Sequence, residues 1–335
     1  MLDPMGEQRL LLLRLGAMGD ILHALPAVET LARSFPKLRI QWLVKPQWMP
    51  LLEGHPLLEG LVPYRRDSWA SLRDVVAALR AQRYDIALDL QGLLQSAVLS
   101  RLSRAPIRMG YSRQWAREPL AAAFYTHHAR PTATHVVQQH LEVVRALGAN
   151  AQPQPCWIPG GRPDGDLPAS PFVLAAPLAG WTSKQWPLEH YGELARLLQP
   201  HGLTLVLNIA ERDRPRLHRL DGVHIHCSSI AGLIDASRRA TAVVGLDSGP
   251  LHLAATLGKP GVALFGPTNP ERNGPHSLAG NAIRVLRPDG IVTSYKRGSA
   301  ILEEMRQLRP QLVLEALLQA IRAVDSGVRP AVEEP

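Results

Sequence analysis

The polar residues of the stretch AVVGLDSGPLHLAATLGKPGVALFGPT, residues 242–268, stand where a strand gives way to a helix. An apolar run ends at Gly245, and Asp247, Ser248, Gly249 and Pro250 then break the pattern. Ser248 or Gly249 suits a helix N-cap, and Pro250 fits the first turn, where its missing N–H costs nothing. Such a helix start is an anion site, because its free N–H groups and its dipole point at the ligand. Small side chains at Ser248 and Gly249 let a phosphate approach the backbone. Asp247 and His252 flank that point with polar groups that a helix start does not need. His252 fits either a donor contact or a buried structural histidine.

A second chemical position is Asp20, in the segment RLGAMGDILHALPA. Arg9 to Leu15 reads as a strand, Gly16 to Asp20 as a glycine turn, and Ile21 to Phe35 as a helix. The turn resembles a nucleotide-binding loop but lacks GxGxxG spacing. Asp20 has two readings. It stabilises the helix dipole, or it serves a ligand at the carboxyl end of the first strand, where open α/β sheets bind.

The same alternation positions both. In the first half, short apolar runs at 40–44, 61–64, 86–90 and 108–111 alternate with helical patterns at 69–83, 94–102, 120–125 and 135–147. Periodicity then disappears through a stretch of prolines and glycines, with one edge strand expected near Trp157. It resumes with strands at 172–176, 203–207, 223–226, 242–245 and 260–265, and helices at 188–198, 214–220, 230–240 and 251–257. The expected fold class is α/β, two Rossmann-like doubly wound parallel sheets facing a central cleft. The expected boundaries are residues 1–150, a linker at 151–171, a second domain at 172–310, a closing helix at 311–325 and a disordered tail at 326–335.

Composition narrows the class. At 335 residues, the chain is comfortable as two domains. It holds no run of about 20 apolar residues to span a bilayer and no signal peptide, since Leu10 to Leu13 is followed at once by Arg14. Cys156 and Cys227 form no disulfide framework and no metal motif, which fits a reducing cytoplasm. Of the net charge of +8, residues 1–160 carry +6, from 18 Lys and Arg against 12 Asp and Glu. An acidic partner is expected for that half. The absence of an RNA-binding motif or a basic–aromatic patch argues against nucleic acid.

Taken together, RLGAMGDILHALPA, DLQGLLQSA, AREPLAAAFY, SKQWP and GLDSGPLHLAATLGKP with LFGPT resemble, in this order, the blocks of the ADP-heptose:lipopolysaccharide heptosyltransferases. They span about residues 9–268. The REPLA segment points to the heptosyltransferase I branch, which adds the first heptose to Kdo on lipid A. The resemblance implies a GT-B fold, which agrees with the alternation.

It also implies roles. Inverting transfer needs a base on the face opposite the leaving group, and Asp20 matches the family's catalytic aspartate. Lys184 matches the phosphate-binding lysine, with Thr182 and Ser183 adding hydroxyl donors. Asp247, Ser248, Gly249 and His252 match the donor motif, Asp247 holding sugar hydroxyls. Where the family often has Gly-Gly and then a ribose-binding Glu, this chain has Asn208-Ile209-Ala210-Glu211, so Glu211 takes that place, with Asp213 as its alternative. Arg65, Arg66, Arg113 and Arg117 follow strands of the basic half and are expected to clasp an anionic, lipid-linked Kdo acceptor. That acceptor allows peripheral contact with the inner face of the membrane.

No cofactor and no metal are expected, because no Asp-x-Asp pair stands in the second-domain loops. Asp164 and Asp166 are read as solvated linker residues. Rival readings are a family member with another ADP-sugar or acceptor, and a nucleotide-sugar 2-epimerase of the same fold.

Overall fold

The computed structural model describes residue 2 and residues 6–217, 220–280 and 282–326. The chain divides into two compact units, Met1–Pro159 and Gly160–Pro335. The tail expected to be disordered lies, after Ser326, outside the described residues.

In the first unit, strands β1 (Arg9–Leu13), β2 (Arg39–Val44), β3 (Gly60–Pro63), β4 (Ile86–Asp89), β5 (Ile107–Tyr111) and β6 (His127–Ala129) form one parallel sheet, in the order β3-β2-β1-β4-β5-β6. Four helices accompany it: α1 (Met18–Ser34), α2 (Trp69–Ala81), α3 (Leu94–Leu102) and α4 (Val136–Ala146). Leu10 to Leu13 are all fully buried. A central strand covered on both faces reads as a continuous apolar run rather than an alternating one.

The second unit repeats the plan. Strands β7 (Phe172–Ala175), β8 (Thr204–Ile209), β9 (Val223–Cys227), β10 (Ala242–Leu246), β11 (Gly261–Leu264) and β12 (Ile283–Leu286) run parallel, in the order β12-β11-β10-β7-β8-β9. The helices are α5 (Leu188–Leu198), α6 (Ile230–Arg239), α7 (Gly249–Thr256), α8 (Pro270–Asn273) and α9 (Pro310–Asp325). Trp186 and Tyr191 are fully buried in its core, with ring centroids 4.8 Å apart.

Each sheet reverses its order once, between β1 and β4 and between β7 and β10. At such a switch point the loops leaving two adjacent strands diverge, and ligands bind there.

Several local expectations are corrected. The Ala-rich segment after Glu118 is a 3-10 turn, Pro119–Phe124, and Glu211–Leu217 is another where a helix over 214–220 was expected. Pro215 lies within the latter. Two short edge strands carry no apolar run to signal them: β6 reads His-His-Ala, and β12 exposes Arg284 and Val285.

Trp157 lies in no strand; its N–H donates to the buried Glu29 Oε1 at 2.6 Å and ties the segment to the first unit. Asp164 is not simply solvated. It accepts from the Ser229 N–H (3.2 Å) and hydroxyl at the start of α6, while Asp166 is exposed.

Candidate active site

The switch point of the first sheet builds the surroundings of Asp20. Gly16 has φ +128°, and a Cβ there would stand 2.3 Å from Trp48 Nε1, so glycine is required. The chain then enters α1, whose third residue is Asp20. Its Oδ2 accepts from the Ala17 N–H at 3.2 Å, and its Oδ1 pairs with Arg14 Nη2 at 2.9 Å. Arg117 Nη1 lies 3.8 Å from Oδ2, at the end of the loop after β5.

The neighbouring loop after β4 locks onto the same point. Asp89 is fully buried and accepts from the N–H groups of Gln91 (2.7 Å) and Gly92 (3.1 Å) and from the Tyr125 hydroxyl (2.7 Å). Gln91 Oε1 in turn accepts from the Leu15 N–H at 2.7 Å. The DLQG turn is thus a brace for the end of β1.

Charge around Asp20 is uneven. Burial alone would raise its carboxyl, but Arg14, Arg117 and the Ala17 N–H outweigh burial and hold it below the usual carboxylate range. His140 on α4 is buried, and burial, aided by Arg14, pushes it down to about 3, so it is neutral near pH 7. Its Nδ1–H donates to the His23 carbonyl at 3.1 Å.

Arg65, Arg66 and Arg113 are exposed on loops after β3 and β5. Among the described residues, none of these three contacts Asp20.

In the second unit, the loops after β7 and β10 meet at the switch point. Lys184 Nζ donates to Asp247 Oδ2 at 2.6 Å, and the Thr268 hydroxyl, from the loop after β11, donates to the same oxygen at 2.6 Å. His252 Nε2 lies 3.4 Å from Oδ1. Burial would raise the Asp247 carboxyl, yet His252 and Lys184 hold it well below the usual range. Both Asp247 oxygens are therefore engaged within the protein.

Ser248 is the extended N-cap of α7, and its buried hydroxyl has no hydrogen-bond partner among the described residues. The N–H groups of Gly249 and Leu251 precede the first bond of the helix, from the His252 N–H to the Ser248 carbonyl. Ser183 is buried, and its Oγ accepts from the Gly298 N–H at 3.3 Å. Thr182 is half-buried beside it. Glu211 stands apart from this cluster, at the end of β8, 3.6 Å from Arg214.

Sequence reasoning left residues 269–310 without a role, yet part of that segment folds over the lysine loop. Trp181 carries Lys184 Nζ 4.4 Å from its ring centroid and the Arg297 guanidinium at 5.9 Å. Arg287 secures the strap by donating to the Gly266 carbonyl (3.4 Å) and the Thr293 hydroxyl (2.8 Å). The sole signal in the sequence was the basic pair Lys296-Arg297 in a loop without periodicity. Arg14 was missed as well, read only as the charge that ends an apolar run.

Such a cluster, a lysine beside a helix start at a switch point, suits a phosphate-bearing ligand. Residues 72–291 match the model of glycosyltransferase family 9 (heptosyltransferase). The chain belongs to this family. Among family 9 relatives, the lipopolysaccharide heptosyltransferase 1 of Pseudomonas aeruginosa is 33% identical over 78% of this chain and 79% of that protein. Its counterpart in Escherichia coli K12 is 29% identical over 90% of this chain and 100% of that protein. The structure of the E. coli heptosyltransferase WaaC with ADP superposes with a TM-score of 0.76 at 26% identity, covering 93% of this chain and 99% of that one. The same enzyme with ADP-2-deoxy-2-fluoro heptose gives 0.74. The family 9 fold is GT-B, and the two Rossmann-like sheets are its two halves. The protein is a glycosyltransferase of lipopolysaccharide biosynthesis. No helix among the described residues is long and apolar enough to cross a membrane.

Proposed function

We propose that this enzyme is an inverting heptosyltransferase that moves a heptose from ADP-heptose to a Kdo residue of the lipopolysaccharide inner core. The observation that carries the reading is the Lys184–Asp247 cluster at the start of α7, in a chain similar to an enzyme whose structures hold ADP and an ADP-heptose analogue.

In this reading, Asp20 accepts the proton of the acceptor hydroxyl as that oxygen bonds to the anomeric carbon. The bond from that carbon to the ADP oxygen breaks, and its electron pair goes to the diphosphate. Lys184, the N–H groups at the start of α7 and the Ser248 hydroxyl meet the charge that builds there. Arg297 adds a second cation from the strap. Asp247 acts by holding Lys184. Thr182 and Ser183 shape the lysine loop, His252 orients Asp247, and Glu211 contacts the ribose. Arg65, Arg66, Arg113 and Arg117 bind the anionic acceptor. The enzyme works without a metal, on the cytoplasmic side and against the membrane face that presents the lipid-linked acceptor.

ADP release tests this reading, measured with and without Kdo-lipid A and with and without EDTA. Acceptor-dependent release that survives EDTA is expected. A strict Mg²⁺ requirement would overturn the metal-free step. Conversion of the donor sugar without acceptor would favour the epimerase reading instead.

A further inference from the structure

Arg14 is an unusual residue to find at the end of a strand whose neighbours, Leu10 to Leu13, are all buried leucines. It is itself only 3% exposed. A buried cation is costly unless its protons are met by well-placed acceptors. Here they are. Nη1 donates to the Leu90 carbonyl at 2.6 Å, Nε to the Asp20 carbonyl at 3.2 Å, and Nη2 pairs with Asp20 Oδ1 at 2.9 Å. The Arg14 carbonyl is fixed in turn by the Trp42 indole N–H at 3.0 Å. One planar fork therefore grips both the backbone and the carboxylate of Asp20, and anchors them to the loop after β4.

We infer that Arg14 is the positioning residue of the base: it clamps Oδ1 of Asp20 so that Oδ2 is the oxygen presented to the acceptor hydroxyl. This inference rests on the reading of Asp20 as the base. The contacts of Oδ2 are longer than the 2.9 Å pair at Oδ1. It has the Ala17 N–H at 3.2 Å and, at 3.8 Å, an Arg117 side chain that is 58% exposed. A base must be held within a fraction of an ångström of its productive position, because small misplacements cost large factors in rate.

The clamp has a consequence for pH. The groups facing Asp20 are Arg14 from the end of β1, Arg117 from the loop after β5 and His140 from α4. His140 is neutral above about pH 3 and adds no charge in an ordinary assay. The two arginines therefore keep the base ionised into mild acid. Removing Arg14 withdraws the nearer cation and lets the Asp20 carboxyl titrate at higher pH. A role confined to stabilising the fold would not move that titration.

The test compares Arg14→Gln, Arg14→Lys and Asp20→Asn in steady-state kinetics across pH, with ADP affinity measured by calorimetry. Arg14→Gln should lower kcat about 10²-fold and move the acid limb of the kcat profile to higher pH. Arg14→Lys keeps the charge but loses the fork, so kcat should fall about 10-fold with the acid limb unmoved. ADP affinity should stay within about twofold for both, as expected for a group acting on the base alone.

If Asp20→Asn retains near-wild-type turnover, the base reading itself fails. If Asp20→Asn is inactive while both Arg14 variants keep wild-type kcat and pH profile, the clamp is refuted and the base stands. Should Arg14→Gln fail to fold, Arg14→Lys decides: a reduced kcat at unchanged ADP affinity supports the clamp, and an unchanged kcat overturns it.

Discussion

Lys184 and Asp247 meet across the switch point of the second sheet, with Nζ 2.6 Å from Oδ2 and both side chains largely shielded from water. The pair exists because β7 and β10 are adjacent although 63 residues separate the two side chains in sequence. Lys184→Ala should weaken ADP binding and lower kcat, since charge grows on the diphosphate as the bond breaks. Asp247→Asn should weaken ADP binding too, by releasing the lysine. The double variant should cost clearly less than the sum of the two, with a coupling of about 0.5–3 kcal/mol expected for contacting residues. Calorimetry with ADP checks this; additive losses would mean the two residues act independently.

Asp20→Asn keeps the size of the side chain and removes the carboxylate proposed as the base. A kcat lower by about 10²-fold or more is expected, with ADP affinity nearly unchanged. Fixed-pH turnover and ADP titration of the same preparation separate the two quantities.

Stability should fall as the solution is acidified through the window set by His140. Its folded value is pushed to about 3 from an ordinary 6.5, so between those limits the unfolded chain binds a proton that the folded chain does not. The loss approaches about 1.4 kcal/mol per pH unit for one such group. His140→Gln should flatten the dependence of melting temperature on pH between about 6 and 4.5. An unaltered slope would assign the acid sensitivity to other groups.

Arg117 sits 3.8 Å from Asp20 with its side chain 58% exposed. Arg117→Ala should raise the acceptor KM and leave the donor KM alone. The effect should fade as salt rises, since exposed charges are screened over about 10 Å at moderate ionic strength. Acceptors with and without their phosphates, titrated against both proteins, check whether this arginine reads the anion. Equal discrimination by wild type and variant would say that it does not.

Much of this was legible in the sequence because parallel strands buried on both faces announce themselves. The runs at Leu10–Leu13 and Ala242–Leu246 are wholly buried, and each marks a central strand beside the switch point of its sheet. The loops proved harder, because their partners are set by topology rather than periodicity. For Asp247 the sequence suggests a group for sugar hydroxyls, while its partners within the protein, Lys184 after β7, Thr268 after β11 and His252 on α7, are set by topology alone. The Arg297 strap has no pattern to give it away, only a basic pair. Arg14 was hidden for a different reason. A charge at the end of an apolar run normally marks the return to solvent, and here it turns inward to hold Asp20.

The proposed reaction is transfer of one heptose from ADP-heptose to Kdo with inversion at the anomeric carbon. The product formed by the purified enzyme from ADP-heptose and Kdo-lipid A tests it most directly, weighed by mass spectrometry and its linkage read by NMR. The expected product is an acceptor heavier by one heptose, joined to Kdo, with anomeric configuration opposite to that of the donor. Retained configuration, attachment to another sugar, or ADP released with no heptose on the acceptor would contradict it.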